Sequence, residues 1–510
     1  MEKRALLAAL LSAVVLVVWY SLFGPQPVPP PPPQQEVAPA ANGAAVPTPA
    51  GGQVTAEVPP AVAGQPGEEE VVVVADGVRA VVNPRGGVIR SLVLERHQDG
   101  EGNPLELVEG GAVWPLALAA EGPWNEAWYA VEREASGVTL FWSDGQGAWV
   151  RKRIRPGSGA YALEVSVEGG GAALRDGVVV ARALRPAEKA GKSSFGRSGA
   201  VVGVGGKVKR LDTAKLKGVE RFGGGVGFAG VENQYFLLCL LPEGHEAEVA
   251  VEPLRGVVVR TPPDGLRGVL FAGAKEHQVL KGYGRGLDGT ISFGIFGVLS
   301  VAFLAAMRWI YSWTGNWGVA IVVLTAAIRV LLFPLTHKST VAMRRMQRLQ
   351  PKMKAIQDRY KERAKRDPQV RQRMNQEIMQ LYRVEGVNPM SGCLPTLVQL
   401  PILWALYTLF AYAIELRHAP FVWWIRDLSA KDPTYITPIL MTASMVLQQK
   451  MTPQAGDPAQ RRMFMLLPFV FGLMFMNFPA GLVLYWLVNN LLTIGQQLLT
   501  NRLAGDSERA

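Results

Sequence analysis

The apolar and polar positions of this 510-residue chain fall into four patterns. The first is an apolar run, Ala5–Phe23, entered from Lys3 and Arg4. It is longer than the roughly 7–15 residues of a signal-peptide core. The Ala38-Pro39-Ala40 site lies far downstream of it. A retained anchor over 1–24 is therefore favoured over a removed signal, with its start in the cytoplasm by the positive-inside rule. The second pattern has no period: 25–69 is rich in Pro, Ala and Gly, and PQPVPPPPPQQ makes an extended spacer. The third is strand alternation over 70–285. Stretches such as VVVVADGVRAVVN, AWVRKRIR and YALEVSVEGG are broken by Asp-Gly and Gly-Gly turns, which predicts a large all-β sandwich. Following a span that starts inside, it lies outside the cytoplasm.

The fourth pattern is helical. Region 286–316 carries Arg308 and crowds Trp309, Tyr311 and Trp313 at its end. It is read as an amphipathic helix lying in the outer interface rather than as another span. Trp317–Thr336 has the length of a bilayer-crossing helix, about 20 residues. Region 337–389 then turns polar, with fourteen Lys/Arg between His337 and Glu385 against five acidic residues, which places it in the cytoplasm. Its apolar positions step by three and four: Met346, Leu349, Met353, Ile356 and Tyr360, then Val370, Met374, Ile378, Leu381 and Val384 after an Asp367-Pro368 break. That spacing predicts a coiled-coil hairpin. Region 390–499 supplies four further spans, and 500–510 a short tail. The count is six spans with both ends cytoplasmic, five of them in a C-terminal bundle.

Composition agrees, with 49% hydrophobic and 19% charged residues. The net charge of +11 matters mainly through the basic hairpin. Cys239 and Cys393 lie in different regions, so no disulfide framework is implied. The five histidines lack ligand spacing, and no cofactor or metal site is expected. Gly191-Lys192-Ser193 fails as a phosphate loop because Pro186 stands where the first glycine belongs. The GxGxxG strings at Gly225–Gly230 and Gly284–Gly289 read as turn glycines. GxSxG, HExxH and paired-cysteine zinc patterns do not occur, so an enzyme is not indicated.

The unusual residue is Arg329, a permanent cation inside the Trp317–Thr336 span. The bundle spans offer it no carboxylate, only neutral polar groups: Thr325, Gln399, Gln448, Gln449, Asn477, Asn489, Asn490, Thr493 and Gln496. Two readings stand: a wet, polar-lined cavity, or a side chain snorkelling to the cytoplasmic interface. An anion transporter or channel would use such a charge too, but a secondary transporter usually shows repeated halves, and none is visible.

The stretches GNWGVAIVVLTAAIRVLLFPLT, LQPKMKAIQDRY, VNPMSGCLPTLVQLPILWALY, ELRHAPFVWWIRDLSAKDPTYITPILM and FPAGLVLYWLVNNLLTIGQQ resemble, in order and across about 285–500, the YidC/Oxa family of membrane-protein insertases. The spacer and β domain resemble its Gram-negative form, whose periplasmic domain is a β-supersandwich. The resemblance implies insertion of nascent membrane proteins into the inner membrane without covalent chemistry or nucleotide hydrolysis. It implies a hydrophilic groove with Arg329 as its arginine, Thr325 near the substrate path and Tyr485 and Trp486 along it; among the neutral polar groups, Gln399, Gln448 and Asn489 are assigned to the same groove. A cytoplasmic hairpin built on Met346, Leu349, Met353, Ile356, Tyr360, Met374, Ile378 and Leu381 would receive substrate. The implied partners are nascent chains, the Sec translocon, the ribosome and membrane lipid, with no role for DNA and a single copy sufficing. The tail, ending Asp506-Ser507-Glu508-Arg509-Ala510, lacks the long basic extension some members use for ribosome contact.

Overall fold

A computed structural model describes residues 59–507, apart from 112, 186–197, 245–246, 261–264, 361–362, 364–366, 388–393 and 452–457. The expected anchor at 1–24 and most of the 25–69 spacer lie outside the described residues.

Val-rich alternation makes three antiparallel sheets. The first is a four-stranded meander of β1 (Val71–Ala75), β2 (Val78–Asn83), β3 (Val88–Gln98) and β4 (Pro104–Glu106). The second has nine strands: β5 (Ala130–Arg133), β6 (Val138–Ser143), β7 (Trp149–Pro156), β8 (Ala162–Gly170), β10 (Gly199–Val204), β11 (Lys207–Leu211), β13 (Val226–Glu232), β14 (Phe236–Pro242) and β17 (Leu266–Ala274). Their order is β11-β10-β13-β14-β17-β8-β7-β6-β5. The third is β12 (Glu220–Phe222), β15 (Glu248–Glu252), β16 (Gly256–Arg260) and β9 (Val178–Ala181). The first sheet packs on the large one through β1 and β7, and the third through β9, β15 and β16 against β13 and β14. Val226 opens β13 and Phe236 opens β14, so the glycines from 225 to 230 serve a turn and a strand. Cys239 is a free, fully buried thiol whose pKa burial pushes up.

The alternation in β7 has one unusual member. Val150, Lys152 and Ile154 all face inward, and Lys152 is 0% exposed. Its Nζ donates to the carbonyls of Gly86, Gly87 and Leu116 at 2.8, 3.0 and 2.8 Å, above the Tyr129 ring. Burial alone draws its pKa down to about 7. Three carbonyl acceptors, matching the three donors of an ammonium, favour the charged form.

The helical part begins with α1 (His277–Tyr283), followed by α2 (Gly297–Thr314), α3 (Trp317–Arg348), α4 (Gln350–Tyr360), α5 (Pro368–Val384), α6 (Leu394–Tyr412), α7 (Ile436–Met451), α8 (Pro458–Phe475) and α9 (Ala480–Ser507). Helix α2 buries Ser300, Leu304, Met307 and Ile310 against the bundle and leaves Trp309 and Trp313 exposed. Helix α3 does not stop where its apolar run stops at Thr336. It continues through Pro334 to Arg348, because polar side chains change a helix's solvent without ending it. Helices α3 and α9 are long and apolar enough to cross a membrane, while Leu397–Tyr412 and Met465–Phe475 are shorter apolar segments. Helix α9 packs on α7, α3 and α6, and α3 on α2. One apolar core runs from the sheets into this bundle.

The seam between the two parts is specific. Gln234 Nε2 donates to the Ala411 carbonyl at 2.6 Å and the Arg417 guanidinium lies over the Phe236 ring, while on the helical side Arg308 of α2 pairs with Glu415. The β domain therefore abuts the C-terminal end of α6, while α3 leads away to the α4–α5 hairpin.

Candidate functional site

Arg329 and Thr325 stand one turn apart on α3, and Tyr485, Asn489 and Thr493 repeat every four residues on α9, so each helix offers one face to the other. The half-buried guanidinium bonds α9 along one edge. Nε donates to Asn489 Oδ1 at 2.9 Å, and Nη2 to the Asn489 carbonyl at 3.2 Å and to Thr493 Oγ1. Thr493 in turn donates to the Asn489 carbonyl at 2.6 Å. Seven residues further along both helices, Gln496 Nε2 donates to Thr336 Oγ1 at 3.0 Å. The equal step shows that α3 and α9 run parallel. The side chain turns onto α9, where neutral acceptors replace the missing carboxylate. Each hydrogen bond to a charged group is worth about 1.5–3 kcal/mol, which offsets a desolvation cost that an orphan cation would bear in full.

Gln399 of α6 donates through Nε2 to the hydroxyl of Tyr485, which is buried one turn before Asn489. Arg329, Asn489, Gln399 and Tyr485 thus meet among α3, α6 and α9. The other expected residues sit elsewhere. Thr325 is buried, but its hydroxyl is spent on the Ile321 carbonyl of its own helix at 2.6 Å. Gln448 is half-buried on α7. Trp486 packs on Phe471 and Phe475 of α8. Two of the nine neutral candidates that were not assigned to the groove prove to be polar rungs: Thr493 beneath Arg329, and Asn490, which turns to Ser444 of α7 at 3.0 Å. Outward from this centre, Val330 and Leu331 are exposed on α3, and Leu397 and Leu400 on α6.

In the hairpin, Leu349, Tyr382 and Val387 form a small buried core, flanked by Met346, Met353 and Ile378. Ile356 is buried, and Tyr360, Met374 and Leu381 are half-buried. Tyr382 donates to Met353 Sδ at 3.0 Å. It lies four residues after Ile378, so the same helical spacing pointed to it as well as to Leu381. Lys352–Glu385 and Arg359–Glu377 pairs cross the two helices antiparallel. Asp367 caps α5 through the Gln369 N–H, with Pro368 at the first helical position.

An apolar bundle with outward-facing aliphatic side chains, a cation held inside by neutral partners and a β domain at one end defines an integral membrane protein. The family model for the 60Kd inner membrane protein matches residues 309–507, and that for the YidC periplasmic domain matches 70–306. The membrane protein insertase YidC of Syntrophus aciditrophicus is 34% identical over 99% of this chain and 100% of its own, and that of Geotalea daltonii 35% over 98% and 99%. A solved structure titled "Active YidC insertase crystal structure with the first transmembrane domain resolved" aligns with 86% of this chain and 94% of its own at 19% identity, with a TM-score of 0.38. The chain belongs to the YidC family of membrane protein insertases, proteins of the bacterial inner membrane.

Proposed function

We propose that this insertase works through a hydrophilic groove among α3, α6 and α9, with Arg329 as its charged contact. The observation that carries the reading is the meeting of Arg329, Asn489, Thr493, Gln399 and Tyr485 at mid-helix. A nascent apolar segment with an acidic flank enters between the helices. Its carboxylate exchanges with Asn489 and Thr493 at the guanidinium, which shortens the low-dielectric path the flank must cross. Transfer of the apolar segment into lipid drives the step, and no bond is made or broken. The hairpin lies in the cytoplasm and receives the chain, and Gln448, Thr325 and Trp486 border the path. The β domain lies in the periplasm, six helices cross the membrane with both termini inside, and α2 rests in the outer interface. The protein acts as a monomer, alone or with the Sec translocon, and meets the ribosome through the hairpin.

The test is replacement of a host's own insertase by this protein, following a small single-span substrate with an acidic outer tail by protease accessibility. Arg329→Ala is expected to cut its insertion roughly tenfold, the value of one charge-assisted hydrogen bond, and to spare a substrate with an uncharged tail. Arg329→Lys is expected to be milder, keeping the charge while losing the fork that bridges Asn489 and Thr493. Equal losses for both tails would refute the electrostatic role.

A further inference from the structure

Where the β domain meets the bundle, a cavity of about 600 Å³ opens beside the first turns of α2. Its upper wall is polar: Arg210, His277, Asp288 and Ser292. Its lower wall is Val301 of α2 with Trp404 and Tyr407 along the C-terminal half of α6. Residues 404 and 412 both line it, so it runs about 12 Å down that helix. Trp404 remains 39% exposed at its rim.

The upper wall holds groups with nothing to bind. His277 Nδ1 is buried without a hydrogen-bond partner, and the Asp288 carboxylate makes no hydrogen bond or ion pair among the described residues. Arg210 is anchored and shares its carboxylate partner with a second cation. Its Nε donates to Glu232 at 2.7 Å and its Nη2 to the Gly289 and Thr290 carbonyls, while Glu232 is shared with the buried Lys275 at 2.7 Å. Arg210 and Asp288 thus line the upper wall as opposite charges, and Asp288 faces His277, whose pKa burial lowers. A wall with one cation and one carboxylate, an imidazole nitrogen without a partner and aromatic faces below suits a zwitterion that carries a hydrogen-bonding ammonium and an apolar tail.

We infer that this cavity binds a phospholipid with an ethanolamine headgroup. The ammonium bonds Asp288, the phosphate faces Arg210 and Ser292, and an acyl chain lies along Val301, Trp404 and Tyr407. A choline headgroup has no N–H for Asp288, and a glycerol headgroup has no cation for it. The assignment goes beyond the insertase reading, and its test does not use insertion.

Full-length purified protein, presented with equimolar ethanolamine, choline and glycerol phospholipids of one acyl composition, is measured by native mass spectrometry. The ethanolamine lipid should be retained preferentially. Asp288→Asn should reduce that preference about tenfold, and Trp404→Ala should weaken all three lipids alike. If Asp288→Asn lowers the melting temperature, His277→Phe, which removes the unpartnered Nδ1 acceptor near Asp288, carries the same comparison. Equal retention of the three headgroups, or an unchanged preference in a stable Asp288→Asn protein, overturns the inference. Displacement by soluble glycerophosphoethanolamine at the same concentration as lipid overturns the lipid as source. A photo-crosslinker at Ser292 that captures nascent chain instead of lipid assigns the cavity to substrate and overturns it too.

Discussion

At the scale of single residues, the molecule holds one buried and one half-buried cation by the same chemistry. Arg329 in the bundle and Lys152 in the β domain both rest on neutral oxygen acceptors rather than on carboxylates. For Lys152 the acceptors are three backbone carbonyls from separate turns, so the ammonium ties Gly86, Gly87 and Leu116 together. Gly86 and Gly87 have positive φ, and so does Leu116, a conformation that costs a branched side chain energy. Lys152→Met keeps the apolar stem and removes the donors, leaving three buried carbonyls bare. The expected loss is about 3 kcal/mol, read as a fall of roughly 5–10 °C in the unfolding temperature of the β domain. An unchanged midpoint would mean that water replaces the ammonium without cost.

At the scale of elements, the hairpin has a small core of its own. Its buried core among the described residues is Leu349, Tyr382 and Val387, with exposed ion pairs outside it. Exposed pairs contribute at most about 1 kcal/mol, so apolar contact carries the hairpin. Leu349→Ala should cost about 2–3 kcal/mol and raise amide exchange across α4 and α5 while leaving α6 and α9 protected. Protection that stays intact would show that the hairpin is held from elsewhere. Elements were also what the sequence disclosed best. The Asp367-Pro368 break announces a helix start, and the alternation of AWVRKRIR already sets Lys152 in phase with Val150 and Ile154, although nothing local says what would satisfy it. Arg329 stood out by charge alone. Its partners did not, because Asn489 and Thr493 lie 160 and more residues away and only packing of α3 on α9 selects them from nine neutral candidates. The end of α3 was hidden for a different reason: the change from apolar to polar side chains at His337 marks where a membrane would end, not where hydrogen bonding along the helix does.

At the scale of the whole molecule, the seam between β domain and bundle joins their stabilities. His97 of β3 lies there, bonded to the Tyr161 hydroxyl at 3.1 Å, which donates to Glu276 at 3.0 Å. Burial, then the charges of Arg417, Arg96 and His418, bring its pKa from 6.5 down to about 4. Between those values the unfolded chain holds a proton that the folded chain does not, so stability falls as pH drops from 6.5 towards 4. His97→Gln should flatten that slope in a pH series of thermal unfolding, and an identical slope would place the acid sensitivity in other groups. The same seam anchors one end of α3, whose Trp317 begins beside the loop holding Phe421. Its other end enters the hairpin. At helical rise its 32 residues reach about 48 Å, more than a bilayer's hydrocarbon thickness of roughly 30 Å. It is a shaft with a single weak joint, because Pro334 cannot bond the Val330 carbonyl. That joint falls on the hairpin's side of Arg329. A sideways load on the hairpin bends the shaft below the guanidinium, so the hairpin end can swing while the charged rung above it keeps its alignment.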